Sequence, residues 1–152
     1  MSSTYDQLAS VPLAGDFVCA NYSTTADIDA GVAVSLDTTN YVGDGTHTIP
    51  GVVVSSTATG HSAQAIGVTV DKIAKNGATG RVRVAGVAAA TFCATVTVGA
   101  AVGATGATAA AGTVGPAEAT YPYLGFAVSA GASGDPGEVL VQPGAYYHAS
   151  GS

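Results

Sequence analysis

A chain of 152 residues, 47% hydrophobic and 9% charged, is long enough for one domain with its own core. Its formal net charge of −6 and four Lys and Arg argue against a nucleic-acid surface, because phosphate binding draws its affinity from clustered cations that release counterions. The 21 glycines, abundant Ala, Val and Thr, and scarcity of straight-chain helix formers argue against a helical fold and for short strands and tight turns.

Residues 1–14 are mostly small and polar, carry Tyr5, Leu8 and Val11 among their larger apolar groups, and include Pro12, which blocks regular structure. They read as an extended arm that orders on a partner. The first six residues lack the basic start and apolar run of a signal peptide, so the expectation is a protein that stays where it is made. Residues 16–22 predict a first strand, and residues 28–36 a second in which Val32, Val34 and Leu36 alternate after a turn at Gly31. A loop over 37–50 follows, then a buried strand over 51–55 and a small-residue loop over 56–64.

Residues 65–86 predict a hairpin that holds every Lys and Arg of the chain: Lys72, Lys75, Arg81 and Arg83. Ile66, Val68, Val70, Val82 and Val84 are expected on one face, and Asn76-Gly77 supplies a pair that accepts positive φ for the reversal. Beyond Gly86 a further segment, 87–98, offers Phe92, Val96 and Val98 as core contacts. Residues 85–117 carry no charge, but Gly and Thr interrupt them throughout and Leu is absent, which argues against a membrane span. The Ala/Gly/Thr tract over 99–113 reads as short strands and turns. Two more strands, 124–128 and 138–143, precede a tail from 145 to 152 that contains Tyr146 and Tyr147.

The chain repeats itself. Ile66-Gly67-Val68-Thr69-Val70 followed by Arg81-Val82-Arg83-Val84 matches Leu124-Gly125-Phe126-Ala127-Val128 followed by Glu138-Val139-Leu140-Val141. Each pair is preceded by a similar element, Ala30-Gly31-Val32-Ala33-Val34 or Val98-Gly99-Ala100-Ala101-Val102. The expected fold is therefore all-β, a small β-barrel or sandwich-like domain over 15–144 built on a duplicated β-unit.

An aliphatic-Gly-x-x-Val strand, an Ala/Gly/Thr-rich turn, a Val-x-Val strand near a Gly, and a second copy ending in Val-Leu-Val-x-Pro together resemble the capsid cement, or head decoration, family of tailed phages. The resemblance covers about 27–144 and lies in composition and spacing, not in invariant side chains; the arm and the 37–50 loop fall outside the pattern. It implies a β-rich, non-enzymatic module on the outer capsid surface, made in the host cytoplasm. The implied partner is the major capsid protein, commonly with decoration trimers at three-fold positions.

Catalytic and metal signatures are missing from the sequence. Neither Gly60-His61-Ser62 nor Ala132-Ser133-Gly134 forms the Gly-x-Ser-x-Gly elbow that exposes a nucleophilic serine. His47, His61 and His148 are scattered, and no Cys-x-x-Cys pair exists, so no metal or cofactor is expected. Asp37, Asn40, Asp44 and Gly45 miss the spacing of a calcium loop and read as a capped turn. Asp27 and Asp29 are placed on one face at strand spacing, with nothing to aim them at a site. Cys19 and Cys93 permit one disulfide by count, but without an export signal they read as buried thiols.

The contact candidates are then the arm residues Tyr5, Leu8, Val11 and Pro12, the cations Lys72, Lys75, Arg81 and Arg83, and Tyr146 with Tyr147. Two readings of the cations stay open: pairing with the protein's own carboxylates, or facing an acidic patch on a partner. The alternative function is a receptor- or glycan-binding module of a head fibre or tail, with Tyr121, Tyr123, Tyr146 and Tyr147 stacking on sugars.

Overall fold

A computed structural model of the chain describes residues 15–55, 65–104, 111–117 and 123–142. The arm over 1–14, the loop over 56–64, and Tyr121, Tyr146 and Tyr147 lie outside the described residues. The described residues form nine strands and no helix: β1 Gly15–Asn21, β2 Ala33–Leu36, β3 Val52–Val54, β4 Ala65–Thr69, β5 Ala78–Thr91, β6 Ala101–Ala104, β7 Val114–Pro116, β8 Tyr123–Ala127 and β9 Pro136–Val141. All pair antiparallel in one sheet with the order β3-β2-β4-β5-β9-β8-β6-β7, while β1 pairs with β5 off that path. The sheet is not closed into a barrel; its two halves stack in a sandwich-like arrangement.

The segment after Gly86 is not a separate element. A single strand of 14 residues runs through it. Its first half, through Ala85, pairs with β1 and β4, and its second half, Gly86 to Thr91, pairs with β9. Gly86 at φ +107° sits where one partner set gives way to the other, a conformation that favours a residue without Cβ. The last strand of the first half is thus also the first strand of the second.

The duplication is visible in the backbone. The N-terminal unit orders its strands β1-β5-β4-β2-β3, and the C-terminal unit orders them β5-β9-β8-β6-β7, the same path in both. The Ile28–Ile73 bridge has its counterpart in Val96–Gly131. The bond from Gly31 N–H to the Thr69 carbonyl is matched by Gly99 to Ala127, each 2.8 Å. Register shifts fall at equivalent places, between Val34 and Ser35 and between Val102 and Gly103.

That register corrects the single apolar face expected of the hairpin. Val68 stands opposite Arg83, and Thr69 opposite Val82, so Val68 and Val82 point to opposite faces. Val82 packs inside the N-terminal unit with Cys19, Ile28, Val34, Val52 and Ile73. Val68, with Ala33 and Ala65, instead joins the core of the C-terminal unit alongside Phe92, Leu124 and Val139. Both faces of β4 are covered, which is why no alternation survives there. The hairpin turn is as expected, with Asn76 and Gly77 at φ +67° and +83°. The predicted second strand is shorter than expected; Ile28 makes only an isolated bridge, and Leu36 is half exposed. Phe92 and Val96 are buried, but Val98 is exposed because it precedes the turn at Gly99.

Gly67 and Gly125 occupy equivalent positions where the neighbouring strand passes too close for a side chain. A Cβ on Gly67 would run into the Arg83 carbonyl oxygen, and one on Gly125 into that of Leu140. Gly67→Ala and Gly125→Ala are each expected to destabilise the fold by about 1–3 kcal/mol or more, read as a lower urea midpoint. Unchanged midpoints would contradict the close approach.

Candidate functional site

The cations of the hairpin sit among the chain's own carboxylates. Arg83 donates through Nε to Asp16 Oδ1 at 2.8 Å, through Nη2 to Asp16 Oδ2 at 3.2 Å, and through Nη1 to the Val87 carbonyl at 2.7 Å. Arg81 binds Asp71 in a two-pronged pair, Nε to Oδ2 at 3.0 Å and Nη2 to Oδ1 at 2.9 Å. Its Nη1 also approaches Asp16 at 3.7 Å. Lys72 lies 3.4 Å from Asp27, whose other oxygen caps the Lys75 backbone N–H at 2.9 Å. Both arginines and Lys72 are therefore engaged by the chain's own carboxylates, and the Arg81 and Lys72 side chains remain 52% and 60% exposed.

Hydrogen bonds from Arg83 hold the Asp16 carboxyl below its usual 3.8, and those from Arg81 hold Asp71 down at about 2. The Asp16–Arg83 pair is the more enclosed, with side-chain exposures of 15% and 22%. Its guanidinium reaches from the N-terminal unit to the Val87 carbonyl in the second half of β5, so the pair spans the junction of the two units.

The loop over 37–50 is organised by capping. Asp37 accepts from the backbone N–H of Thr39 and Asn40, and Asp44 accepts from those of Thr46 and His47. The His47 ring bonds the Asp44 carboxylate through Nδ1 and packs on Tyr22 with ring centroids 4.1 Å apart. These bonds hold the Asp44 carboxyl well below the usual carboxylate range. Among the described residues no three His, Cys, Asp or Glu side chains converge as a metal site, and no helix is long and apolar enough to cross a membrane. Cys19 and Cys93 are both free thiols. Cys19 is buried, which pushes its thiol up to about 11, but Cys93 is only half-buried, contrary to expectation. Asp27 and Asp29 belong to no strand; the Asp29 carbonyl accepts from the Thr69 hydroxyl at 2.6 Å.

Tyr123, one of the aromatic candidates, is 6% exposed and meets Phe126 edge-on at 5.6 Å, so it is part of the packing and offers no open ring face. The sequence reading missed a more prominent feature, an apolar groove of about 530 Å³ lined by Phe17, Leu36, Tyr41, Val42 and Pro50. Phe17, Leu36, Tyr41 and Val42 are each 48–54% exposed. The repeat held a usable signal, because the structural counterpart of Phe17 in the second unit is Ala88.

The chain is thus an open, all-β, two-unit sheet whose surface carries paired charges and an apolar groove. No protein-family model and no curated protein match the chain. Among solved structures it is similar to the head fiber gp8.5 N base of bacteriophage phi29, with a TM-score of 0.56 and 17% identity. The match covers 88% of this chain and 98% of that one, a shared fold over most of the molecule.

A carboxylate with a lowered folded-state value stabilises the fold above its unfolded value and loses that contribution as the pH falls through the folded one. Thermal midpoints of the wild type are expected to drop as the pH falls below 3.8, and those of Asp16→Asn to start lower at neutral pH and drop less steeply. Arg83→Glu, which sets two carboxylates against each other, is expected to cost about 1–3 kcal/mol at pH 7 by denaturant titration. Parallel acid limbs for wild type and Asp16→Asn would contradict a structural role for this pair.

Proposed function

We propose that this chain is a structural protein of a tailed-phage virion that sits on the outer surface of the head and binds the major capsid protein. The observation that carries the reading is the backbone likeness to a phage head-fibre base over most of the chain. The sequence pattern, which resembles capsid cement proteins, supports it from a separate direction. In this reading the protein does no chemistry. By binding the assembled shell in preference to its dissociated subunits it shifts the assembly equilibrium toward the shell by mass action, and several copies per shell make the effect multivalent.

The capsid-facing elements in this reading are the arm over 1–14 and the exposed lysines Lys72 and Lys75. Arg81 and Arg83 are engaged by Asp71 and Asp16, and Arg81 still presents a side chain that is 52% exposed. A head-fibre role, in which the domain anchors a longer projection on the head, is the second reading, favoured by the same structural neighbour. Both readings place the domain against the shell.

The full-length protein is expected to co-sediment with expanded phage heads. Removal of residues 1–14 is expected to abolish co-sedimentation while leaving the circular dichroism spectrum unchanged, and Lys72→Glu with Lys75→Glu to weaken it about tenfold. Decoration that survives loss of the arm would remove the arm from the interface, and absence of head binding by the intact protein would overturn the reading.

A further inference from the structure

The joint between the two units is a specific packing, and the repeat has a counterpart for each side of it. On the donor side, a cross-strand row on the outer face of the N-terminal unit runs Asp16–Arg83–Val68–Ala33. Its apolar end, Val68 and Ala33, is fully buried against the C-terminal unit. On the acceptor side, the inner face of the C-terminal unit presents Ala88 and Ala104, 5% and 1% exposed, to the same core cluster. Gly112 completes the joint. Its carbonyl accepts from the Ala33 N–H at 2.8 Å, and its own N–H donates to the Ser55 carbonyl at 2.9 Å.

Each unit therefore has a donor face and an acceptor face, and only one of each is used within the chain. The unused donor face belongs to the C-terminal unit, where the equivalent row is Val87–Leu140–Phe126–Ala101. Val87 is 42% and Phe126 39% exposed. The unused acceptor face belongs to the N-terminal unit. There Phe17 and Leu36 stand at the positions of Ala88 and Ala104, and Pro50 at that of Gly112. All three line the 530 Å³ groove. The ion pair of the first row is replaced by Val87 and Leu140 in the second, so this second row is apolar and matches an apolar groove.

We infer that copies of this chain associate head to tail, the Val87–Leu140–Phe126 face of one seating in the Phe17, Leu36, Tyr41 and Val42 groove of the next and repeating the joint between the two units. The occupant is a second copy because the two open surfaces are the structural equivalents of surfaces that already bind each other inside one chain. The contact is heterologous, joining different patches, so successive copies close into a ring if the rotation permits and extend into a chain if it does not. This inference goes beyond the virion reading and does not depend on it.

The test uses full-length protein in sedimentation velocity up to about 1 mM. The wild type is expected to self-associate, and Phe17→Asp and Phe126→Asp each to weaken association by about tenfold or more. Phe17 and Phe126 are 48% and 39% exposed, so the variants are expected to keep the wild-type circular dichroism spectrum, with a lower melting temperature for Phe126→Asp because Phe126 also meets Tyr123 edge-on. An equimolar mixture of the two variants is expected to form a dimer that does not grow, because each retains the surface the other has lost. A monomeric wild type overturns the inference, as it would if residues 1–14 of the same chain filled the groove. Folded single variants that associate like wild type, or a mixture no more associated than its components, overturn it as well.

Discussion

The rest of the molecule depends on one constraint, the hydrogen-bonding demand of β5. A strand of 14 residues carries backbone donors and acceptors along its whole length, and those that are buried need partners. β1 and β4 supply them to the first half, and β9 supplies them to the second. Because the strand is continuous, the second unit cannot be placed independently of the first; its first strand is already fixed in direction and register. Past Gly86, at φ +107°, the inner face of the second sheet meets the outer face of β2 and β4.

Side-chain size records where that meeting occurs. Ala33, Ala65, Ala88 and Ala104 line the joint, and small side chains allow two sheet faces to approach closely without voids. At the positions left open, the counterparts of Ala88 and Ala104 are Phe17 and Leu36. Exposed apolar groups of this size gathered in one groove mark an interaction surface. The partly enclosed Asp16–Arg83 pair lies at the edge of the occupied joint, where Arg83 also bonds the Val87 carbonyl in the second half of β5.

The virion reading and the head-to-tail reading concern different surfaces. The first uses the arm and the exposed lysines, and the second uses the groove and the Phe126 face. A module that holds a shell and also holds its neighbours joins weak contacts into a strong collective one, which is the physical requirement on any protein that reinforces a large assembly. A fold shared with a head-fibre base is compatible with either contact acting alone.

Much of this was legible in the residues themselves. The all-β class followed from small β-branched side chains and glycine, the Asn76-Gly77 turn from its tolerance of positive φ, and the duplicated unit from the spacing around Gly67 and Gly125. These are local properties, set by backbone sterics within a few residues. The tertiary structure alone decided that β5 serves both sheets, that Val68 and Val82 face different cores, that Tyr123 is buried while Val98 is not, and that Arg83 binds Asp16, 67 residues away. Periodicity gives the alternation of a strand but not which faces are covered, because coverage depends on packing between segments distant in the chain. For the same reason the repeat could be read from sequence, whereas which copy of each face lies inside the molecule and which lies open could not.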